Sequence, residues 1–145
     1  MQKLTKIVPS KDQVLKWFII DCSGERLGKV STTIIKSLLG KTEPMAVDYM
    51  KNPVAIIAIN TDKISYFPTR AKNKMYYRHS GFPGGLKQIS LGDQMEKDST
   101  KILWMALNGM LPKNRLRDLY LANVHIFKNA EHPHIAQQPK VLTVA

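Results

Sequence analysis

The segment Arg78-His79-Ser80-Gly81-Phe82-Pro83-Gly84-Gly85 places a guanidinium and an imidazole beside three glycines within five positions. Glycine lets a backbone approach another surface closely and present its N–H groups to phosphate oxygens, and Lys87 adds a second flanking cation. A similar set of ingredients recurs in Met110-Leu111-Pro112-Lys113-Asn114-Arg115-Leu116-Arg117: a helix end, a fixed turn and three cations in five residues. Cations at the start of a helix oppose its dipole, and a bound anion compensates them. Between Asp62 and Asp93 there is no acidic residue. That stretch holds Lys63, Arg70, Lys72, Lys74, Arg78 and Lys87, interleaved with Tyr66, Phe67, Tyr76, Tyr77 and Phe82. Cations neutralise phosphates, and aromatic faces stack on unpaired bases, so this block has the chemistry of a nucleic-acid surface.

Catalytic chemistry is poorly supplied. Gly24-Glu25-Arg26-Leu27-Gly28-Lys29 lies where an NTPase phosphate loop would lie, but three residues separate its glycines and Val30 follows the lysine. A phosphate loop needs four residues there and a Ser or Thr after the lysine to hold magnesium. Gly40-Lys41-Thr42 has the right tail but has Ile35 where the first glycine is required. These glycines are assigned to turn geometry and to close helix–strand packing. His132-Pro133-His134 could offer two metal ligands, but no second pair stands nearby and Cys22 is remote in sequence. Cys22 itself, a single cysteine beside a strand, reads as an inert core residue and excludes an intramolecular disulfide. No carboxylate arrangement suggests acid–base work. Neither a cofactor nor a small-molecule substrate is expected.

The elements that must carry these residues follow from periodicity. A short buried strand is expected over 17–21, then a turn at Ser23-Gly24. Leu27, Val30, Ile34, Ile35, Leu38 and Leu39 recur at helical spacing, and Gly40 follows where a left-handed C-terminal cap belongs. The run 54–60, apolar and rich in branched residues up to Ile59, reads as a parallel strand covered on both faces. Shorter strands are expected at 64–67 and 75–78 around a basic loop. A helix capped by Ser99 or Thr100 should run to about 108, apolar nearly all round and central, with Gly109 just past its end. A short helix over 115–121 and a strand over 124–127 follow. The order of elements predicts an α/β layered domain with a right-handed crossover.

The chain of 145 residues carries 22 Lys or Arg against 11 Asp or Glu, a net charge of +11. Its hydrophobic content of 43% supports a packed core, which sets aside intrinsic disorder. Residues 1–62 hold nine basic and six acidic side chains, whereas residues 63–145 hold thirteen and five, so most of the excess lies in the second part. The longest apolar run, at 54–59, is far short of a membrane span, and the basic N-terminus lacks the apolar region of a secretory signal. A soluble protein bound to a polyanion is the expectation.

From about Trp17 to Leu142 the sequence resembles the universal family of large-subunit ribosomal proteins numbered thirteen, the L-thirteen family. The resemblance is carried by Trp17 to Asp21, Leu27-Gly28, Leu38-Leu39-Gly40-Lys41, Ile59-Asn60-Thr61-Asp62-Lys63 and Tyr76-Tyr77-Arg78-His79-Ser80-Gly81-Phe82-Pro83-Gly84-Gly85. Its most specific part is Asn108-Gly109-Met110-Leu111-Pro112-Lys113, followed by Val124-His125-Ile126-Phe127-Lys128, Glu131-His132-Pro133-His134 and Ala136-Gln137-Gln138-Pro139. Pro53-Val54 replaces the family's usual Gly-Asp, and Phe67-Pro68-Thr69-Arg70 replaces a glycine-containing turn while keeping a cation. Asn114 to Arg117 lacks a glycine often found there.

The resemblance implies a three-layer α/β/α domain with a mostly parallel four-stranded sheet and an extended basic C-terminal tail. Residues 1–16 would form an N-terminal extension, 17–127 the single α/β domain, and 128–145 the tail, held by something outside the core. The family is structural and not catalytic, joins the large subunit during assembly, and binds its ribosomal RNA and neighbouring ribosomal proteins. The expected location is the cytoplasmic large subunit, or an organelle-encoded ribosome. The expected RNA-facing set is Lys63, Arg70, Lys72, Lys74, Tyr76, Arg78, His79, Gly84, Gly85, Lys87, Lys113, Arg115, Arg117, Lys128, His132, His134, Gln137 and Gln138. Alternation should turn one of Tyr76 and Tyr77 inward. The rival readings are a nucleotide-dependent enzyme using the 24–29 loop and a regulatory RNA-binding protein acting off the ribosome.

Overall fold

Branched and aromatic residues form two adjacent parallel strands, β1 (Lys16–Asp21) and β2 (Val54–Ile59), in the register Phe18 to Ile56 and Ile20 to Ala58. The structure is a computed structural model that describes residues 14–42 and 49–144, so most of the expected N-terminal extension lies outside the described residues. Between the strands runs α1 (Leu27–Leu38), which buries Val30, Ile34, Ile35 and Leu38. Its end closes as expected. Gly40 adopts φ +68, and Lys41 N–H donates to Lys36 O at 3.0 Å, satisfying carbonyls that the helix leaves open.

The next elements depart from expectation. Residues 64–67 are no strand; Ser65 makes a single bridge to Arg26. The expected basic loop is a helix, α2 (Pro68–Asn73), opened by proline at its first turn, with Arg70 and Lys72 in its last turn, where cations suit the dipole. It leads into an antiparallel hairpin of β3 (Met75–His79) and β4 (Leu86–Ser90), then α3 (Leu91–Lys97). Neither β4 nor α3 is visible in the hydrophobic pattern. Leu91 N–H donates to Lys74 O at 2.9 Å, tying α3 to the end of α2.

The central helix α4 (Ser99–Met110) is capped by Asp98, not by Ser99 or Thr100: the Asp98 carboxylate accepts from Thr100 N–H at 3.2 Å. Gly109 lies inside this helix, one residue before its end. Ile102, Leu103 and Leu107 are buried, while Trp104 is 44% exposed, so the helix is apolar all round but covered on one side only. Then come α5 (Arg117–Leu121), β5 (Val124–Ile126) and β6 (Lys140–Val141).

The main sheet has the order β5-β2-β1-β6, and all of its pairings are parallel. One face presents Phe18, Ile20, Ile56, Ala58, Val124 and Ile126 to residues of α1, α4 and α5, building the core. Each aliphatic side chain fully buried there contributes roughly 1.5–3 kcal/mol. The opposite face carries Trp17 and His125, and residues 128–139 return across it. Trp17 stacks on His125 at 5.6 Å between centroids, and His134 packs 4.5 Å from His125 and 5.3 Å from Trp17. The C-terminal stretch turns over residues 134–137, with Gln138 N–H donating to Ile135 O at 3.0 Å, and its end is held by the chain's own sheet. Phe18 pairs with Lys140, and Leu142 N–H donates to Ile19 O at 2.8 Å.

A buried polar knot joins three of these elements. Thr61, wholly buried after β2, donates from Oγ1 to Phe127 O at 3.1 Å and lies 3.0 Å from Ser99 Oγ. Ser99 Oγ in turn donates to the Asp62 carboxylate. The expected catalytic silence of Cys22 has a physical basis: the thiol is fully buried, and desolvation, with a smaller contribution from the Asp21 charge, pushes its pKa to about 12.

Candidate nucleic-acid interface

Cations on α2 and on the hairpin lie outside the core. Arg70, Lys72 and Lys74 are all exposed, on α2 and the residue that ends it. On the hairpin, Arg78 and Lys87 are direct cross-strand partners, both exposed. Like charges directly opposite each other destabilise a sheet, so the free protein maintains this pair at a cost that an anion would remove. Tyr76 shares the same face and is half-buried, with Lys74 Nζ 5.2 Å from its ring centre, while Tyr77 is 65% exposed.

The hairpin tip is built from its glycines. Gly81 and Gly84 have positive φ, and a Cβ at Gly85 would collide with Ser80 Oγ and lie 2.9 Å from Phe82 O. Two of the N–H groups expected to face phosphate are already engaged: Gly85 donates to Phe82 O at 2.9 Å, and Gly81 donates to His79 Nδ1 at 2.9 Å. The second of these leaves the His79 Nε2–H as the free donor of the ring in its neutral form. Phe82 projects from the tip, 74% exposed.

The remaining expected residues are dispersed. Lys113 and Arg115 are exposed on the turn after α4, which is held by Asn114 N–H donating to Pro112 O at 2.9 Å. Arg117 is more enclosed, its Nε 3.9 Å from Asp118 Oδ1 and without a hydrogen bond. Lys63 is exposed in the 3-10 turn Thr61–Lys63. Lys128 lies 3.7 Å from the Asp98 carboxylate that caps α4. That carboxylate has its pKa lowered, first by the Thr100 hydroxyl hydrogen bond and less by the Lys128 charge. His132 and His134 are half-buried in the ring stack against Phe127, Trp17 and His125. Burial, and secondarily the His134 charge, lowers the pKa of His125. Gln137 and Gln138 are exposed.

One feature escapes sequence reasoning. Between the start of α1, residues 65–67, α2 and the second half of α4 lies a cavity of about 590 Å³. Arg26, Lys29, Arg70 and Lys74 line it, and no carboxylate does. Arg26 and Arg70 approach the Phe67 ring, their guanidinium carbons 4.8 and 5.6 Å from its centre. The one signal for it in the sequence is the 24–29 loop, whose glycines read as turn and packing residues. Gly24 does serve a turn, at φ +71, but a Cβ on Gly28 would meet nothing within 4 Å, so close packing is not its role. Among the described residues, no group of three or more His, Cys, Asp or Glu could hold a metal ion. Nor is any described helix long and apolar enough to cross a membrane.

Comparison with known sequences places this geometry in context. The family described as "Ribosomal protein L13" matches residues 15–133. A protein of Thermotoga petrophila named "Large ribosomal subunit protein uL13" is 37% identical over 140 residues, covering 97% of this chain and 93% of the relative. Relatives of the same name from Macrococcus caseolyticus and Geobacter sulfurreducens are 39% and 34% identical, over 86% and 98% of this chain and 86% and 99% of their own.

Proposed function

The chain belongs to the ribosomal protein L13 family, and on that premise we propose that the cations of α2, the β3–β4 hairpin and the turn after α4 are the surface by which it grips large-subunit RNA. As a member of this family it is a structural constituent of the large ribosomal subunit, binds large-subunit ribosomal RNA beside neighbouring ribosomal proteins, and is not an enzyme. The observation that carries the assignment of residues is the carboxylate-free block 63–92, which is raised on α2 and a hairpin outside the main sheet.

Arg70, Lys72, Lys74, Arg78, Lys87, Lys113 and Arg115 supply phosphate contacts, with Lys63 in support and His79 Nε2 as a hydrogen-bond donor. Gly84 and Gly85 shape the tip that carries Phe82 to a base. Tyr76 backs the cationic face. The C-terminal residues act differently from one another. His134 fastens the segment to β1 and β5 and His132 packs on Phe127 just after β5, while Gln137 and Gln138 face outward to accept and donate hydrogen bonds. Arg117 and Lys128, each next to a carboxylate, contribute charge more than directed contact.

The test is a filter-binding titration of the full chain against large-subunit RNA across a salt series. Counterion release makes log affinity fall linearly with log salt, by roughly 0.7–0.9 per phosphate contacted. Seven contacts therefore predict a slope of about −5 to −6. A near-flat salt dependence would reject the surface.

A further inference from the structure

We propose that the cavity between the start of α1 and the second half of α4 receives one unstacked nucleotide of the RNA, its phosphate on the rim and its base against Phe67. This inference rests on the RNA-binding reading above and names a site within it. The volume of about 590 Å³ falls in the range of roughly 300–1,000 Å³ typical of sites that enclose a small organic ligand. Its lining carries four cations and no carboxylate, so the uncompensated charge calls for an anion. Phe67 is 47% exposed, with two guanidinium groups already over its ring. Aromatic faces and guanidinium planes are the surfaces on which single-stranded bases stack. Leu27 and Met105 supply an apolar wall.

Two glycines make the independent argument. Gly28 and Gly109 both line the cavity, from different helices. Neither has a positive φ, and a Cβ at either would meet nothing within 4 Å. Glycine inside a helix is less favourable than alanine by about 1 kcal/mol. The fold therefore has no use for glycine at Gly109 and little at Gly28. What the two positions share is the empty volume between them, which any larger side chain would narrow.

The test uses the full chain carrying Gly28→Leu with Gly109→Leu, and separately Phe67→Leu. Melting temperature, affinity for large-subunit RNA, base-by-base chemical reactivity of the bound RNA and incorporation into the subunit are measured together. The glycine variant is expected to melt no lower than the parent, to bind about tenfold more weakly, and to leave one nucleotide reactive that the parent protects. Phe67→Leu should expose the same nucleotide. Parental affinity with an unchanged reactivity pattern in both variants would overturn the proposal and leave the phosphate-gripping surface standing. Retained RNA affinity with loss of incorporation into the subunit would overturn it in favour of a protein segment as occupant. Failure of the parent chain to bind RNA would remove both readings. If the glycine variant melts lower than the parent, Phe67→Leu and Arg26→Gln decide the matter, by exposing one common nucleotide or failing to.

Discussion

Replacing Arg78 and Lys87 together by glutamine should move stability and binding in opposite directions. The two are direct partners across the hairpin, exposed on one face, so their ammonium and guanidinium groups repel in the free protein. Cross-strand like charges of this kind destabilise by roughly 0.2–1 kcal/mol. Unit charges about 5 Å apart in water give a comparable figure, near 0.8 kcal/mol, before salt weakens it. For a domain of this size that is worth an increase of about 1–4 °C in melting temperature at low salt. Binding behaves differently. Losing two phosphate contacts should reduce the slope of log affinity against log salt by about 1.4–1.8. Extrapolated to 0.1 M salt, the same slope gives about 25- to 60-fold weaker binding, with the curves converging near 1 M. Scanning calorimetry and filter binding on one preparation measure both effects. A lower melting temperature, or an unchanged salt slope, would refute the idea that this pair is maintained for an anion.

Three further expectations concern the scaffold. Thr61→Val should destabilise the domain by about 0.5–1.5 kcal/mol, because it removes the buried hydroxyl that bonds Phe127 O and Ser99 while leaving them the Thr61 N–H and the Asp62 carboxylate; an unchanged urea midpoint would contradict this. For His125 the folded pKa lies below its unfolded value of about 6.5, since burial disfavours the charged ring. Its contribution is therefore complete above that value and declines as pH falls through the folded pKa. Urea midpoints between pH 7.5 and pH 5.5 should decline in the parent and decline less in His125→Phe, and parallel declines would dismiss the ring stack as the cause. Cys22 should resist a thiol reagent in the native state and react fully once the chain is unfolded, because a buried thiol with pKa about 12 is almost never a thiolate at neutral pH. Rapid native labelling would show that the core opens readily at β1.

Periodicity and composition by themselves determined a good deal. The 3.6-residue repeat located α1 and its glycine cap, and the unbroken branched run located β2 as a strand covered on both faces. The carboxylate-free block marked the chain's chemistry, because charge excess requires no knowledge of contacts. Elements too short to show a period were not legible: α2 is six residues long, with no buried side chain, and β6 is two residues long. The cap of α4 was misplaced by a residue because Ser99, a good capping type, is instead engaged by Thr61 and Asp62.

Only the tertiary structure decided which distant residues meet. Trp17 stacks on His125 and packs against His134, more than a hundred positions away, and so makes a segment expected to be held outside the core into a cover for the sheet. The cavity draws Arg26 and Gly28 from α1 and its cap, Phe67 and Arg70 from α2 and its cap, and Gly109 from α4. Local preference is set by a residue and its near neighbours, and so can be read along the chain. A site assembled from three separate elements depends on how those elements pack, and their packing is decided by the core they share.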